Sequence, residues 1–385
     1  MKKGFKFLAI VACLATTAFC GSAFAADTIK IGMLAPLTGF AAADGFSAHE
    51  SVKIAVAKVN AAGGVNGKKV ELVCYDDAAD AKQAVTLAHK LIDQDKVVAF
   101  VSGTYSMPTR AVAPIFNDAE IPFVSAYALH PDITKGDYTF RNGFLGTVEG
   151  QGAAYCAVKL LKAKKIALII CDNDFGTTLG QGFNEYVKAH PEAKIVSQQR
   201  YPGSEKDFKP YLSKTKAFNP DVVFFSGYYF QVGPALKQAK EMGIKAQFIG
   251  EEGADSPKTA EIAGKEGEGL IITTNLNRDD KRPVVKDFLA AYRKTTKIEP
   301  DMVGASAYDA FMLIVDSMKK AKSINGPAVI KALATMKNYD GLTGKILGFN
   351  KEGGVIKPVQ LQILKNGLFH YYGEVTDPKI ITPDR

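Results

Sequence analysis

Val97-Val98-Ala99-Phe100-Val101-Ser102 leads directly into Gly103-Thr104-Tyr105-Ser106-Met107-Pro108, and from there into an amphipathic pattern over Thr109 to Ala119. The first six residues are apolar and β-branched, as a buried strand requires. Gly103 allows a sharp exit, Ser106 is placed near a helix N-cap, and Pro108 suits a first helical turn. Pro122 to Ser125 then reads as another short strand. Strand, loop, helix and strand in this order form a right-handed crossover between parallel neighbours.

The unit repeats on both sides. Upstream lie strand Ile29 to Leu34, helix Phe46 to Ala61 closed by Gly63-Gly64, strand Lys69 to Tyr75 and helix Ala81 to Asp93. A second series starts after a junction near Phe144 to Thr147. It runs helix Gly150 to Leu161, strand Lys165 to Cys171, helix Gly180 to Ala189 and strand Lys194 to Tyr201. It continues with helix Phe208 to Ala217, strand Asp221 to Ser226, helix Val232 to Met242, and strands Gln247 to Ile249 and Gly269 to Thr273. Helices Pro283 to Thr295 and Ala305 to Ala321 follow, then a hairpin of Val359 to Ile363 with His370 to Tyr372 around Asn366-Gly367. This tail holds no complete series, so it must complete the two earlier units. The expected fold is α/β: two lobes, each a mainly parallel sheet flanked by helices, joined by a hinge the chain crosses more than once.

The N-terminus sets the compartment. Lys2, Lys3 and Lys6 precede an apolar run from Phe7 to about Phe19 that ends in Ala23-Phe24-Ala25. That is the form of a secretory leader, too short for a membrane anchor. The mature chain should start at Ala26 or Asp27 in the periplasm. The rival reading, a lipid anchor on Cys13 or Cys20, is disfavoured: Cys13 leaves almost no apolar run before it, and bulky Phe19 precedes Cys20. About 360 residues then remain, of a chain that is 47% apolar, enough for two packed domains. The formal charge of +8 includes the three leader lysines, and no basic stripe interleaved with aromatics remains, which argues against nucleic acid. Of the mature cysteines Cys74, Cys156 and Cys171, an odd one must stay free. Cys156 and Cys171 are expected as buried thiols unless their helix and strand happen to pair them.

Enzymatic groupings fail when checked. His49, His89, His130, His190 and His370 have no metal-ligand spacing. No Gly-x-Ser-x-Gly elbow occurs. Gly63 to Lys68 superficially resembles a phosphate loop but follows a helix and precedes a strand, the reverse of the required context. No cofactor and no catalysis are therefore expected.

Ligands of open parallel sheets bind beyond the carboxyl ends of strands. Those positions hold the Ser106 helix start, Ala126-Tyr127-Ala128-Leu129-His130-Pro131, Asp172-Asn173-Asp174-Phe175-Gly176, Gly227-Tyr228-Tyr229-Phe230 and Gly250-Glu251-Glu252-Gly253. Anion donors on the first lobe thus face aromatics and carboxylates on the second, a combination suited to a small zwitterion with an apolar tail.

Several stretches carry a resemblance. They are Ile31-Gly32-Met33-Leu34-Ala35-Pro36-Leu37-Thr38-Gly39, Asn60-Ala61-Ala62-Gly63-Gly64-Val65-Asn66-Gly67, Tyr75-Asp76-Asp77-Ala78, Gly203-Ser204-Glu205-Lys206-Asp207-Phe208 and Gln247-Phe248-Ile249-Gly250-Glu251-Glu252-Gly253. Together with Gly227-Tyr228-Tyr229, they resemble the periplasmic leucine/isoleucine/valine-binding proteins of ABC transporters, from about Ile29 to the last hairpin. The resemblance implies that Ser106 holds a ligand carboxylate, that the Tyr127 carbonyl accepts from the ammonium, and that Glu252 balances its charge. Phe175 and Tyr228 would close from the second lobe, and Tyr105 with the Phe40–Asp44 loop would shape the side-chain pocket. It further implies an amino-acid ligand, a membrane permease as partner and a monomeric chain. The lobes would comprise residues 26–145 with about 275–349, and 146–274 with about 350–385. Three departures stand out. Leu129 replaces a threonine whose hydroxyl grips the carboxylate, Ala79 and Tyr105 replace a cysteine pair, and Val303 replaces an aromatic at the pocket wall. The alternatives are an aromatic carboxylate, amide or small peptide on the same fold, and a sensory protein that signals to a receptor.

Overall fold

The computed structural model describes Met1 and residues 28–383, so the expected leader, apart from Met1, lies outside the described residues. In chain order the elements are β1 (Ile29–Ala35), α1 (Ala42–Ala61), β2 (Val70–Asp76), α2 (Ala81–Asp93), β3 (Ala99–Ser102), α3 (Ser106–Asp118), β4 (Phe123–Ser125), β5 (Thr139–Arg141) and α4 (Gly146–Tyr155). Next come β6 (Lys165–Cys171), α5 (Asp174–Lys188), β7 (Lys194–Tyr201), α6 (Lys209–Ala217), β8 (Val222–Ser226), α7 (Tyr229–Glu241), β9 (Gln247–Gly250), α8 (Pro257–Ala263) and β10 (Ile271–Thr274). The last part holds α9 (Pro283–Thr296), α10 (Met302–Ala321), α11 (Gly326–Ala334), the short strands β11 (Tyr339–Gly341), β12 (Gly344–Ile346), β13 (Gly348–Phe349) and β14 (Val355–Ile356), then β15 (Val359–Lys365), β16 (Leu368–Val375) and α12 (Pro378–Ile381).

Two sheets organise the molecule. The first runs β2-β1-β3-β4-β5 and is parallel throughout. The second runs β16-β15-β10-β9-β8-β6-β7, parallel from β10 to β7, with the β15–β16 hairpin antiparallel at one end. Each parallel part has the same order, its first strand between its second and third. Strand order therefore reverses at β1/β3 in one sheet and at β6/β8 in the other, and a crevice opens beyond the strand ends at each reversal.

The tail completes both units. α9 and α10 pack on α1, and α10 also covers β3 and β4. β15 and β16 extend the second sheet, and α12 packs on α4. The hairpin turns at Asn366 and Gly367, both at positive φ (51° and 77°), as a two-residue turn of this kind demands. Gly64 makes its turn at φ 79°, where a Cβ would lie 1.9 Å from the Lys68 carbonyl oxygen. The Gly63 to Lys68 segment is thus a tight reversal into β2, closed by the paired backbone hydrogen bonds of Val65 and Lys68. α4 and α5 pack closely because Gly150 and Gly182 bring backbone against backbone. The three cysteines among the described residues are free: Cys156 and Cys171 are buried and Cys74 is half-buried.

Several sequence expectations need correction. β5, α8, α11, β11 to β14 and α12 are not among the elements read from the sequence. α1, α3, α4, α5, α7 and α10 begin three to six residues earlier than their amphipathic patterns do. After Tyr155, α4 widens into a π-turn over Cys156–Leu160.

A polar network ties two of the crossings between sheets. Asn142 follows β5, and its side-chain amide donates to the Ser306 carbonyl at 3.1 Å. Lys357, buried just before β15, donates to Thr343 Oγ1 at 2.9 Å, and Thr343 in turn donates to Asp309 at 2.7 Å. Burial pushes the Lys357 ammonium down to about 7, although Asp309 and Glu252 act to raise it.

Candidate functional site

The two crevices face each other, and their loops meet around one narrow cavity. Its wall includes Tyr105, Ser106, Tyr127, Phe175, Tyr228 and Glu252, six of the seven residues singled out from the sequence. The seventh, Leu129, is placed elsewhere. Its side chain is fully buried in the first lobe's core, and it touches the site through its backbone N–H, which donates to Ser106 Oγ at 3.1 Å. A threonine hydroxyl is therefore not the only way this position can serve the site. Val303 lines the cavity beside Met302, both from the first turn of α10. Asp44 and Gly253 also contribute.

Ser106 opens α3, and no side chain caps that helix start. The N–H groups of Ser106 and Met107 have no partner four residues back, and Pro108 has no N–H to leave unpaired. Because Ser106 Oγ accepts from Leu129, its own proton is free to donate outward. A helix N-terminus with a hydroxyl donor suits a carboxylate. Beside it the Tyr127 hydroxyl donates to the Gly103 carbonyl at 2.7 Å, which fixes the ring and leaves the Tyr127 carbonyl without a donor among the described residues.

The opposite wall is acidic. Glu252 follows β9 and takes one hydrogen bond, from Asn275 Nδ2 at 2.9 Å. Its backbone N–H donates to Glu149 at 3.0 Å, and Thr273 Oγ1 donates to the same Glu149 oxygen at 2.8 Å. Glu251 turns away from the cavity and accepts from the N–H groups of Gly227 and Gly253 at 2.7 and 2.6 Å. The adjacent pair thus divides its work: Glu251 shapes the loop and Glu252 faces the space. Burial, then the neighbouring Glu149 and Glu251 charges, hold Glu252 well above the ordinary carboxylate range. Behind the loop, Asp255 accepts from Thr274 and forms a buried ion pair with Arg278.

Aromatic rings join the lobes. Tyr105 of the first stacks on Tyr228 of the second at 4.6 Å between centroids, and Phe175 stacks on the same ring at 4.9 Å. With these rings in contact the cavity holds about 20 Å³, room for a single water. A ligand reaching from Ser106 to Glu252 needs more room than this, and a larger cleft of about 940 Å³ shares the Tyr105, Ser106, Phe175 and Tyr228 walls. At the rim the Tyr229 hydroxyl donates to the Phe40 carbonyl at 2.9 Å, Phe40 meets Phe230 edge-on at 5.6 Å, and Arg110 pairs with Asp174 at 3.2 Å. Asp76 sets the loop that carries Phe40, accepting from Leu37 N, Thr38 N and Thr38 Oγ1.

The sequence model of the periplasmic binding protein family matches residues 28–367. The chain belongs to the periplasmic binding protein family. Among relatives of this periplasmic binding protein, the leucine-, isoleucine-, valine-, threonine- and alanine-binding protein of Pseudomonas aeruginosa is 32% identical over 359 residues, covering 92% of this chain and 94% of its own. A leucine-binding protein of Thermotoga maritima superposes with a TM-score of 0.84 at 28% identity, covering 91% of this chain and all of its own. The branched-chain amino acid substrate-binding protein of Streptococcus pneumoniae, in complex with isoleucine, gives 0.83 at 28% identity over 90% of this chain and 99% of its own. These relatives are binding proteins. Among the described residues no helix is long and apolar enough to cross a membrane.

The buried acids make stability depend on pH. Burial raises Asp44 and Glu149 to about 8, from ordinary values near 4. Their contribution is fully present below the unfolded-state values and is lost as pH rises through the folded ones. Half-exposed His49 and His130, shifted down by burial, act in the opposite sense over a narrower range. The ligand-stripped protein should therefore melt at lower temperature at pH 7 than at pH 5. A flat or rising melting curve across that interval would contradict this electrostatic picture.

Proposed function

We propose that this chain is the solute-binding component of an ABC transporter, exported behind residues 1–25, which captures a small amino acid and hands it to a membrane permease. Its own role is binding, with no reaction. The pairing that carries the reading is Ser106 at the start of α3 with Glu252 across the cavity. An amino acid's carboxylate would lie on the Ser106 hydroxyl and helix N–H groups, and its ammonium between the Tyr127 carbonyl and Glu252. Phe175 and Tyr228 would cover it as the lobes close, with Tyr105 against its tail. We take the closing lobes to be residues 26–145 with about 275–349, and 146–274 with about 350–385. Because each lobe supplies half the contacts, closure gains free energy only around a ligand. The relatives' named ligands support a branched-chain or other small apolar amino acid.

The test is isothermal titration of refolded, ligand-stripped protein with leucine, isoleucine, valine, alanine and phenylalanine. At least one should bind with sub-millimolar affinity. Tyrosine emission should change on binding as the ligand meets the Tyr105 and Tyr228 rings, unobscured because the sequence has no tryptophan. Silence throughout refutes the amino-acid reading. The ladder of parallel rings through Tyr105, Tyr228 and Phe175 favours one second reading, an aromatic carboxylate, and benzoate belongs in the titration for that reason.

A further inference from the structure

The cavity wall carries two carboxylates and no cation: Glu252 from the second lobe and Asp44 from the first. Asp44 sits in the first turn of α1 and is buried. The Tyr105 hydroxyl donates to its Oδ2 at 2.6 Å, and no other described residue donates to either oxygen. The two acids have largely separate surroundings. Glu252 stands with Glu149, Glu251 and Lys357, and Asp44 with Asp301 and Tyr105; Asp255 is the one acid that acts on both. An amino acid's single ammonium answers Glu252, so Asp44 is left over. Burial holds Asp44 up at about 8, so at neutral pH the free protein keeps it mainly as the protonated acid, with the Tyr105 hydroxyl as its one donor. A ligand donor placed against its other oxygen would satisfy that oxygen and favour the ionised form, whereas hydrocarbon would do neither.

We propose that Asp44 is a specificity-determining residue, and that the preferred ligand is an amino acid whose side chain carries a hydrogen-bond donor facing Asp44: a hydroxyl, amide or ammonium group. This rests on the amino-acid reading above and narrows its tail. Ser106, Tyr127 and Glu252 fix the head group. Asp44 and Tyr105 then read the far end. A purely aliphatic tail leaves the free Asp44 oxygen unmatched, and a donor of the right reach fills that place. A site that hydrogen-bonds a ligand group discriminates strongly against the analogue lacking it.

Matched pairs test this: valine with threonine, leucine with asparagine, and norleucine with lysine. Each is titrated into the refolded, ligand-stripped exported chain and into the Asp44→Asn and Asp44→Leu variants, whose folding is checked by thermal melting. In at least one pair the donor-bearing member should bind the wild type at least about tenfold more tightly, and Asp44→Leu should erase or reverse that preference. If Asp44→Leu does not fold, near-isosteric Asp44→Asn should still lose any preference for lysine over norleucine, or weaken threonine or asparagine relative to its partner. Tighter binding of the aliphatic member in every pair overturns the proposal and leaves the amino-acid reading intact. A donor preference that survives unchanged in the folded variants overturns it too. Silence of all six ligands overturns both.

Discussion

Glu252→Ala should weaken amino-acid binding by roughly a hundredfold to a thousandfold, the effect of leaving one partner of a buried charge pair unmatched. In the present arrangement Glu252 receives one side-chain hydrogen bond, from Asn275, and lines the cavity. Removing it strands the ligand's ammonium with only the Tyr127 carbonyl. Tyr228→Ala, which deletes a ring from the stack but strands no charge, should cost less. Equal losses in the two variants would refute the assignment of Glu252 to the ammonium. The raised proton affinity of Glu252 adds a sign. An ammonium binds the ionised carboxylate, so affinity should fall as pH falls through the carboxyl's raised range, by up to about tenfold per unit. Titration of the wild type across pH reads this directly, and binding independent of pH would exclude such pairing.

The second large effect concerns folding. Arg278→Met should destabilise the protein by about 3–5 kcal/mol, because it leaves the Asp255 carboxylate buried without its counter-ion. The Arg278 guanidinium also donates to the Pro300 carbonyl at 3.1 Å and to Gln362 Oε1 at 3.3 Å, and lies over the Phe369 ring. It therefore fastens the loop bearing Glu252 to the chain just before α10 and to β15. Adding Asp255→Asn removes the stranded charge and should return part of the loss. Urea denaturation of both proteins measures the difference. A double variant no more stable than the single one would show that the Arg278 packing, and not its charge, matters.

Much of this was legible in the sequence, and the omissions share a cause. Strand positions were readable because buried parallel strands are continuous apolar runs, as in Lys165–Cys171 and Val222–Ser226. Helix starts were read late where the first turn faces the cleft and not a core. Asp44, Ser106 and Phe175 lie in such turns, and their glycine, polar and aromatic neighbours break the amphipathic period. Asp44 entered the sequence reading only as the end of the Phe40–Asp44 loop that the resemblance placed at the pocket, because nothing in the pattern marked it as a buried carboxylate. Leu129 erred in the other direction. Its position beyond β4 was right for the site, but side-chain direction follows backbone geometry that spacing alone does not give. The separate duties of Glu251 and Glu252 were equally unreadable, since neighbours in a loop point apart for reasons set by Gly227 and Gly253. β11 to β14 have two or three residues each, too few for any period to register.

The rim contacts bear on time more than on affinity. Tyr229 on Phe40, Phe230 on Phe40 and Arg110 on Asp174 touch no residue that reads the ligand's head group, yet all must break before the chamber can empty. Residence time should then depend on a gate that adds one hydrogen bond, one aromatic edge and one half-buried ion pair to the Tyr105–Tyr228 stack. Salt screens the ion pair and leaves the other contacts. A transporter fed by such a protein inherits a dwell that ionic strength shortens without altering which solute is chosen.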